Sequence, residues 1–119
     1  MSIDSLGNKH QGMYKYDKKN GWGVDEYING ERYEGNFVDD DKNGFGKYYF
    51  LNGDIYEGHW KDDMFHGPGK ERYVDGSTFE GKWINDEKNG EGLFINCQGT
   101  KFRQSWKFGE ILEQQLLSS

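Results

Sequence analysis

Residues 56–78 read YEGHWKDDMFHGPGKERYVDGST, and the folding of this stretch decides the whole chain. Tyr56, Gly58 and Trp60 alternate with Glu57, His59 and Lys61. A period of two, with rings on one side and polar groups on the other, marks a half-buried strand. GPGKERYV, residues 67–74, reads as a second strand, and Asp-Gly between such runs is a hairpin signal. A three-residue loop Val74-Asp75-Gly76, with Gly76 left-handed, sets Tyr73 against Ser77, Glu71 against Phe79, Gly69 against Gly81 and Gly67 against Trp83. A two-residue loop would turn Gly67, Gly69 and Tyr73 away from the face that carries Tyr56 and Trp60.

Outward from this stretch the pattern returns at a step of 23 residues. Glycines fall at 12, 35, 58 and 81, at 21, 44, 67 and 90, at 23, 46, 69 and 92, and at 30, 53, 76 and 99. Rings keep the same step: Tyr33, Tyr56, Phe79 and Phe102, with His10 in the equivalent earlier place; Tyr14, Phe37, Trp60, Trp83 and Trp106; and Tyr27, Phe50 and Tyr73, a series ending at Asn96. A fixed period of this kind is read before any site. It divides the chain into an N-terminal segment, 1–9, and a repeat array, 10–109, followed by a tail, 110–119. The array holds four full units (10–32, 33–55, 56–78, 79–101) and a truncated fifth. The same register sets Tyr48 against Tyr56, Gly44 against Trp60 and Phe94 against Phe102. Glycine weakens a strand, so its recurrence needs a reason: a ring lies flat on neighbouring backbone only where no Cβ intervenes. Single hairpins are marginal alone, so each unit leans on the next.

The expected fold is all-β, an elongated single-layer antiparallel meander of tandem 23-residue hairpins. Roughly nine strands at ~4.8 Å make a ribbon on the order of 40 Å long. In the tail EILEQQLLSS, Ile111, Leu112, Gln115 and Leu116 share a helical face. A short C-terminal helix is therefore expected, either capping the array or docking on another chain.

Composition agrees with an ordered β protein. Apolar residues make up only 33% of the 119, but aromatics reach 17%, with 18 glycines and one proline. Disordered chains are poor in aromatics. A net charge of −6 lacks the basic footprint of nucleic-acid binding and weighs against charge-driven binding to anionic lipid. The lone Cys97 forms no internal disulfide and points to a reducing compartment. MSIDSLGNKHQG carries no apolar run, and no stretch approaches ~18 apolar residues, so neither a signal peptide nor a membrane span is expected. A cytoplasmic location follows.

One stretch imitates chemistry. DDDKNG, residues 39–44, fits the first half of a calcium loop. The twelfth position, where a bidentate acid belongs, is Phe50. YDKKNG, DDMFHG and NDEKNG occupy the same place in other units, so the acids are read as a solvated turn. His66 fills the slot of Asn20, Asn43 and Asn89, and His59 sits on the polar face beside Glu57. Cys97 precedes Gln98-Gly99 in a turn, and GFG and GPG lack the following helix and Lys-Ser/Thr of a phosphate loop. No catalytic residue, metal or cofactor is expected, and the chain does not read as an enzyme.

The pattern Y-E-G-x-W, then G-x-G, then D/N-G-x-x-Y-E-G resembles the MORN repeat (membrane occupation and recognition nexus). YEGNF at 33–37, YEGHW at 56–60 and FEGKW at 79–83 carry it, with GFG, GPG and GEG at 44–46, 67–69 and 90–92. The resemblance covers residues 10–109. Asp17, Asp40, Asp63 and Asp86 stand where the family has glycine, which returns at Gly109; aspartate tolerates the left-handed region at some cost. His10 and Gln104, at the two ends, replace a family aromatic and a family glycine.

The resemblance implies a twisted hairpin array that acts as a non-enzymatic scaffold or adaptor. Family members occur in ciliary axonemes, notably radial spoke heads, and in cytoskeletal or membrane-associated assemblies. A protein partner in a cytoskeletal or ciliary assembly is therefore expected. Its contact face would be Tyr33, Phe37, Tyr56, Trp60, Phe79, Trp83, Phe102 and Trp106, with Ile111, Leu112 and Leu116 as a docking tail. Large exposed apolar patches mark interaction sites; the alternative is that rings and glycines close this face by themselves. The second reading is a phosphoinositide or membrane-surface module. It needs a basic cluster, for which Lys82, Lys88 and Lys101 serve best, diluted by Asp86, Glu87 and Glu91. Self-association through the sheet edge at residues 10–16 is a further expectation.

Overall fold

Two kinds of hairpin alternate along the chain, and residue chemistry chooses each. In the tight kind, Asp62-Asp63 joins β6 (Ile55–Lys61) to β7 (Met64–Arg72). Both aspartates have positive φ, 50° and 69°. Two left-handed central residues make the primed turn whose twist matches paired strands, and Asp visits that region more readily than most residues. The same turn links β2 (Lys9–Lys15) to β3 (Lys18–Glu26), β4 (Arg32–Val38) to β5 (Asp41–Tyr49), and β8 (Thr78–Ile84) to β9 (Glu87–Lys88). In the open kind, Val74-Asp75-Gly76 leads from β7 to β8. The Tyr73 N–H donates to the Ser77 carbonyl and the Gly76 N–H to the Tyr73 carbonyl, both at 2.9 Å, with Gly76 at φ +93°. This is the expected three-residue loop, and the expected register follows: Glu71 pairs with Phe79, Gly69 with Gly81, Gly67 with Trp83, and Tyr48 with Tyr56.

The computed structural model describes residues 2–118. After β9 the chain continues as β10 (Gly90–Ile95), β11 (Lys101–Lys107) and β12 (Glu110–Ser118), and β1 (Ser2–Ile3) precedes β2. All form one antiparallel sheet in the order β1 to β8, then β10, β11 and β12, with β9 paired to β8. The described residues span 49 × 23 × 19 Å.

Residues 110–118 correct one expectation: they form a strand rather than a helix. Phe108 and Gly109, at φ 47° and 83°, make a fifth tight turn, and β12 folds back on β11 with Trp106 opposite Ile111 and Phe102 opposite Leu116. The helical spacing of the leucines arises because two register shifts place Leu112 and Leu117 as extra residues on a bulged strand. At the other end β1 pairs Ser2 with His10 and Ile3 with Lys9, covering the start of the edge expected to be open.

Each G-x-G supplies two different glycines. An added Cβ on Gly69 would stand 2.5 Å from Tyr56 Oη, so this glycine provides the clearance inferred for a covering ring. Gly67 does not. Its φ is +93°, and it lies where the pairing slips between Gly58 and Trp60, so that His66-Gly67-Pro68 on β7 oppose His59 alone. A bulge residue in that region favours glycine for its backbone.

The core lies along one face of the sheet. Tyr33, Phe37, Tyr56, Trp60, Phe79 and Trp83 are at most 6% exposed. Their rings meet edge to face in one zigzag: Phe37–Tyr33, Tyr33–Trp60, Trp60–Tyr56, Tyr56–Trp83 and Trp83–Phe79, with centroids 5.1–5.5 Å apart. Such pairs add about 0.5–1.5 kcal/mol each beyond area burial. The Tyr33 and Tyr56 hydroxyls donate to the Asn36 and His59 carbonyls, and Trp60 Nε1 donates to the Gly46 carbonyl at 3.2 Å.

Candidate functional site

Six of the eight rings expected to meet a partner are therefore core. Alternation put Tyr33, Phe37, Tyr56, Trp60, Phe79 and Trp83 on one face correctly, but neighbouring units seal them there. Phe102 and Trp106 are half-buried; Ile111, Leu112 and Leu116 are exposed on β12. The surface is made by a second row. Tyr27, Tyr48, Phe50, Phe65, Tyr73, Phe94 and Trp106 pack on the core and remain partly open. Tyr27, Phe50 and Tyr73 form the third ring series of the sequence and open the three-residue loops.

Acidic side chains border this row on both sides, and they staple units together. At the tight turns, the Asp40, Asp63 and Asp86 carboxylates accept the backbone N–H of Lys19, Lys42 and Phe65, one unit earlier, at 2.7–2.8 Å. At the loops, Glu31 and Asp54 accept the N–H of Leu51 and Val74 at 2.9–3.0 Å. The acids read as solvated turns are therefore inter-unit hydrogen-bond acceptors. Among the described residues no group of three or more His, Cys, Asp or Glu is placed to hold a metal ion.

Lysines enter the aromatic row at the repeat step. Lys19, Lys42 and Lys88 occupy one slot, and Phe65 fills it in the third unit. Lys42 Nζ lies 5.5–5.7 Å from the ring centroids of Tyr27, Tyr33, Tyr48 and Trp60, and 3.8 Å from Asp63. Lys88 Nζ lies 4.4 Å from the Phe79 centroid, 4.5 Å from Trp106 and 3.6 Å from Glu71. Phe65 instead stacks on Tyr56, with centroids 3.9 Å apart and planes at 13°. Beside it opens a cleft of about 340 Å³ lined by Lys42, Tyr48, Phe50, Trp60, Asp63, Phe65 and Asp86. The aromatic step is legible in sequence, but the inward course of these lysines is not, because a charge in a polar turn stretch carries no mark of the face it joins.

Protonation follows from the same packing. Burial, reinforced by neighbouring carboxylates, pushes the Tyr27, Tyr33, Tyr56 and Tyr73 phenols above the usual tyrosine range; burial and Glu31 do the same to Tyr48. Burial lowers the Lys88 ammonium, opposed by Glu71. Glu31 is lowered by the Leu51 N–H and then by the Tyr48 hydroxyl. Asp41 is raised by Asp63, first as hydrogen-bond partner and then as a like charge, with Asp62 and Asp40 adding to it.

His10 takes the tyrosine's place in the first unit. It is buried, bonds Asp25 through Nδ1, and meets Phe37 edge to face at 5.2 Å. Lys19 Nζ holds the other Asp25 oxygen at 3.0 Å. Lys88, offered by the sequence for a basic surface cluster, is drawn in among the rings.

The family model for the MORN repeat matches residues 33–55, 56–78 and 79–101. No curated protein matches the chain.

Proposed function

The chain belongs to the MORN-repeat family, and on that premise we propose that it is a non-enzymatic scaffold or adaptor whose half-exposed aromatic row contacts a protein partner. MORN repeats are protein- or membrane-interacting modules, and the repeat is of a non-enzymatic type. The observation that carries the reading is a row of partly open rings lying on a core that is already closed. The outer rings pack on that core and keep part of their surface open to a partner. Ile111 and Leu116, opposite Trp106 and Phe102, continue the row onto β12. A cytoskeletal or ciliary setting, axonemal and radial-spoke-like, rests on the resemblance to family members found there, and a cytoplasmic location rests on the lone Cys97.

The phosphoinositide alternative is the weaker one. Of its three lysines, Lys88 points into the rings and pairs with Glu71, leaving Lys82 and Lys101. Affinity capture of the tagged chain from its own cells, beside a Phe50→Asp variant, tests the proposal. Cytoskeletal or axonemal proteins on the wild type and not on a folded variant are expected. Equal capture by both, or flotation with phosphoinositide liposomes and no protein partner, would contradict it.

A further inference from the structure

The ladder of internal lysines breaks once, and the break lies beside an open cleft. Where Lys42 and Lys88 stand, the chain shows what its aromatic face does with an ammonium: rings surround it and one carboxylate meets it. The attraction is that of a cation over ring faces, strongest when desolvated. In the third unit Phe65 takes the lysine's place, so that unit brings no cation of its own. The cleft next to Phe65 offers the same materials, with Tyr48, Phe50, Trp60 and Phe65 as walls and Asp63 and Asp86 at the turn side. Lys42 engages Asp63. Asp86 accepts the Phe65 N–H and forms no ion pair among the described residues. On the loop side of Phe50, Glu31, Asp54 and Glu71 line an adjoining hollow. The surroundings are therefore negative on both sides of an apolar floor, in a chain of net charge −6.

We propose that this cleft takes a lysine or arginine side chain from a basic extended segment of a protein partner, with Asp86 as counter-ion and Phe50, Trp60 and Phe65 against the stem. The assignment rests on the scaffold reading above. Long basic side chains lay an apolar stem on hydrophobic surface while the charge reaches a polar rim, and a guanidinium also stacks on rings. Glu31 and Asp54 lie where further basic residues of the same segment would cross Phe50, while Glu71 is held by Lys88. Lys42 shares the cleft, but Asp63 already neutralises it, so a guest cation faces the unpaired Asp86.

A random twelve-residue peptide library selected on the immobilised full chain tests this. Selected peptides should be enriched in Lys and Arg beside apolar residues. Phe65→Lys installs the residue that three other units carry, so the cation becomes internal, and near-UV circular dichroism checks that the fold is retained. Affinity for the selected peptide should fall about tenfold or more. Asp86→Asn keeps an acceptor for the Phe65 N–H but removes the charge; it should weaken binding about three- to tenfold and flatten its salt dependence. Peptides without basic enrichment, no selected peptide at all, or undiminished binding by Phe65→Lys would each overturn the assignment. A cellular partner captured equally by wild type and Phe65→Lys would overturn this site while leaving the scaffold reading intact. Capture of no protein by the wild type would remove the scaffold reading itself.

Discussion

Replacing Gly69 by alanine should destabilise the array through one ring. The new Cβ would stand 2.5 Å from Tyr56 Oη and 2.7 Å from two ring carbons. Tyr56 has nowhere to go. It is fully buried, Phe65 stacks on it at 3.9 Å, Trp60 and Trp83 meet it edge to face, and its hydroxyl holds the His59 carbonyl at 2.8 Å. Overpacking of this kind costs about 1–3 kcal/mol. Alanine in place of a strand glycine offsets about 0.5–1 kcal/mol. The net loss is about 1–2 kcal/mol, a fall in Tm of about 3–12 °C for a domain of this size. Calorimetry with near-UV circular dichroism measures it. Tyr56→Leu is the control, because it removes the atoms that clash. In that background Gly69→Ala should be neutral or stabilising, so the double variant loses less than the sum of the two single losses. Wild-type stability for Gly69→Ala, or an equal loss in both backgrounds, would refute the ring-over-glycine reasoning.

Three further outcomes are expected. Asp63→Ala loses the carboxylate that accepts the Lys42 N–H at 2.7 Å and puts alanine at φ +69°. By chemical denaturation it should cost about 1–3 kcal/mol, and Asp63→Asn, which keeps an acceptor, clearly less. The phenols of Tyr27, Tyr33, Tyr48, Tyr56 and Tyr73 are raised above the ordinary 10.0, so their contribution is fully present below pH 10 and is lost as pH rises toward the folded values. Tyrosinate absorbance and loss of near-UV signal should therefore coincide above pH 10; ionisation of all five with the fold intact would contradict their burial. Finally, backbone carbon shifts of residues 111–117 should be those of a strand with slowly exchanging amides on the β11 side, and helical shifts would contradict the pairing of Trp106 with Ile111.

The register was legible because every unit restates it. Three copies of D/N-G, and Gln98-Gly99 in the fourth unit, each before an aromatic strand, left one loop length that keeps glycines and rings together, and Gly76 at φ +93° bears this out. The left-handed aspartates were legible for the same reason, since Asp63 stands where the family has glycine. What failed was what the repeat does not restate. The tail occurs once, and Ile111, Leu112 and Leu116 fit a helical face as well as a bulged strand; Gly109 at the turn position was the signal that a second strand follows. Ring burial was also hidden, because alternation tells which face Tyr56 is on but not that Trp60 and Trp83 from adjacent hairpins close over it. Lys42 and Lys88 broke the rule that charge faces water, because ring faces and one carboxylate replace part of the hydration of an ammonium.

The claim that the aromatic row is the contact surface is tested most directly by hydroxyl-radical footprinting of the chain alone and with its captured partner. Oxidation of Tyr48, Phe50 and Phe65 should fall on binding, while Trp22 and Phe45, exposed on the opposite face, keep their reactivity. Protection of Trp22 and Phe45 with Phe50 and Phe65 unchanged would place the partner on the polar face and contradict the account.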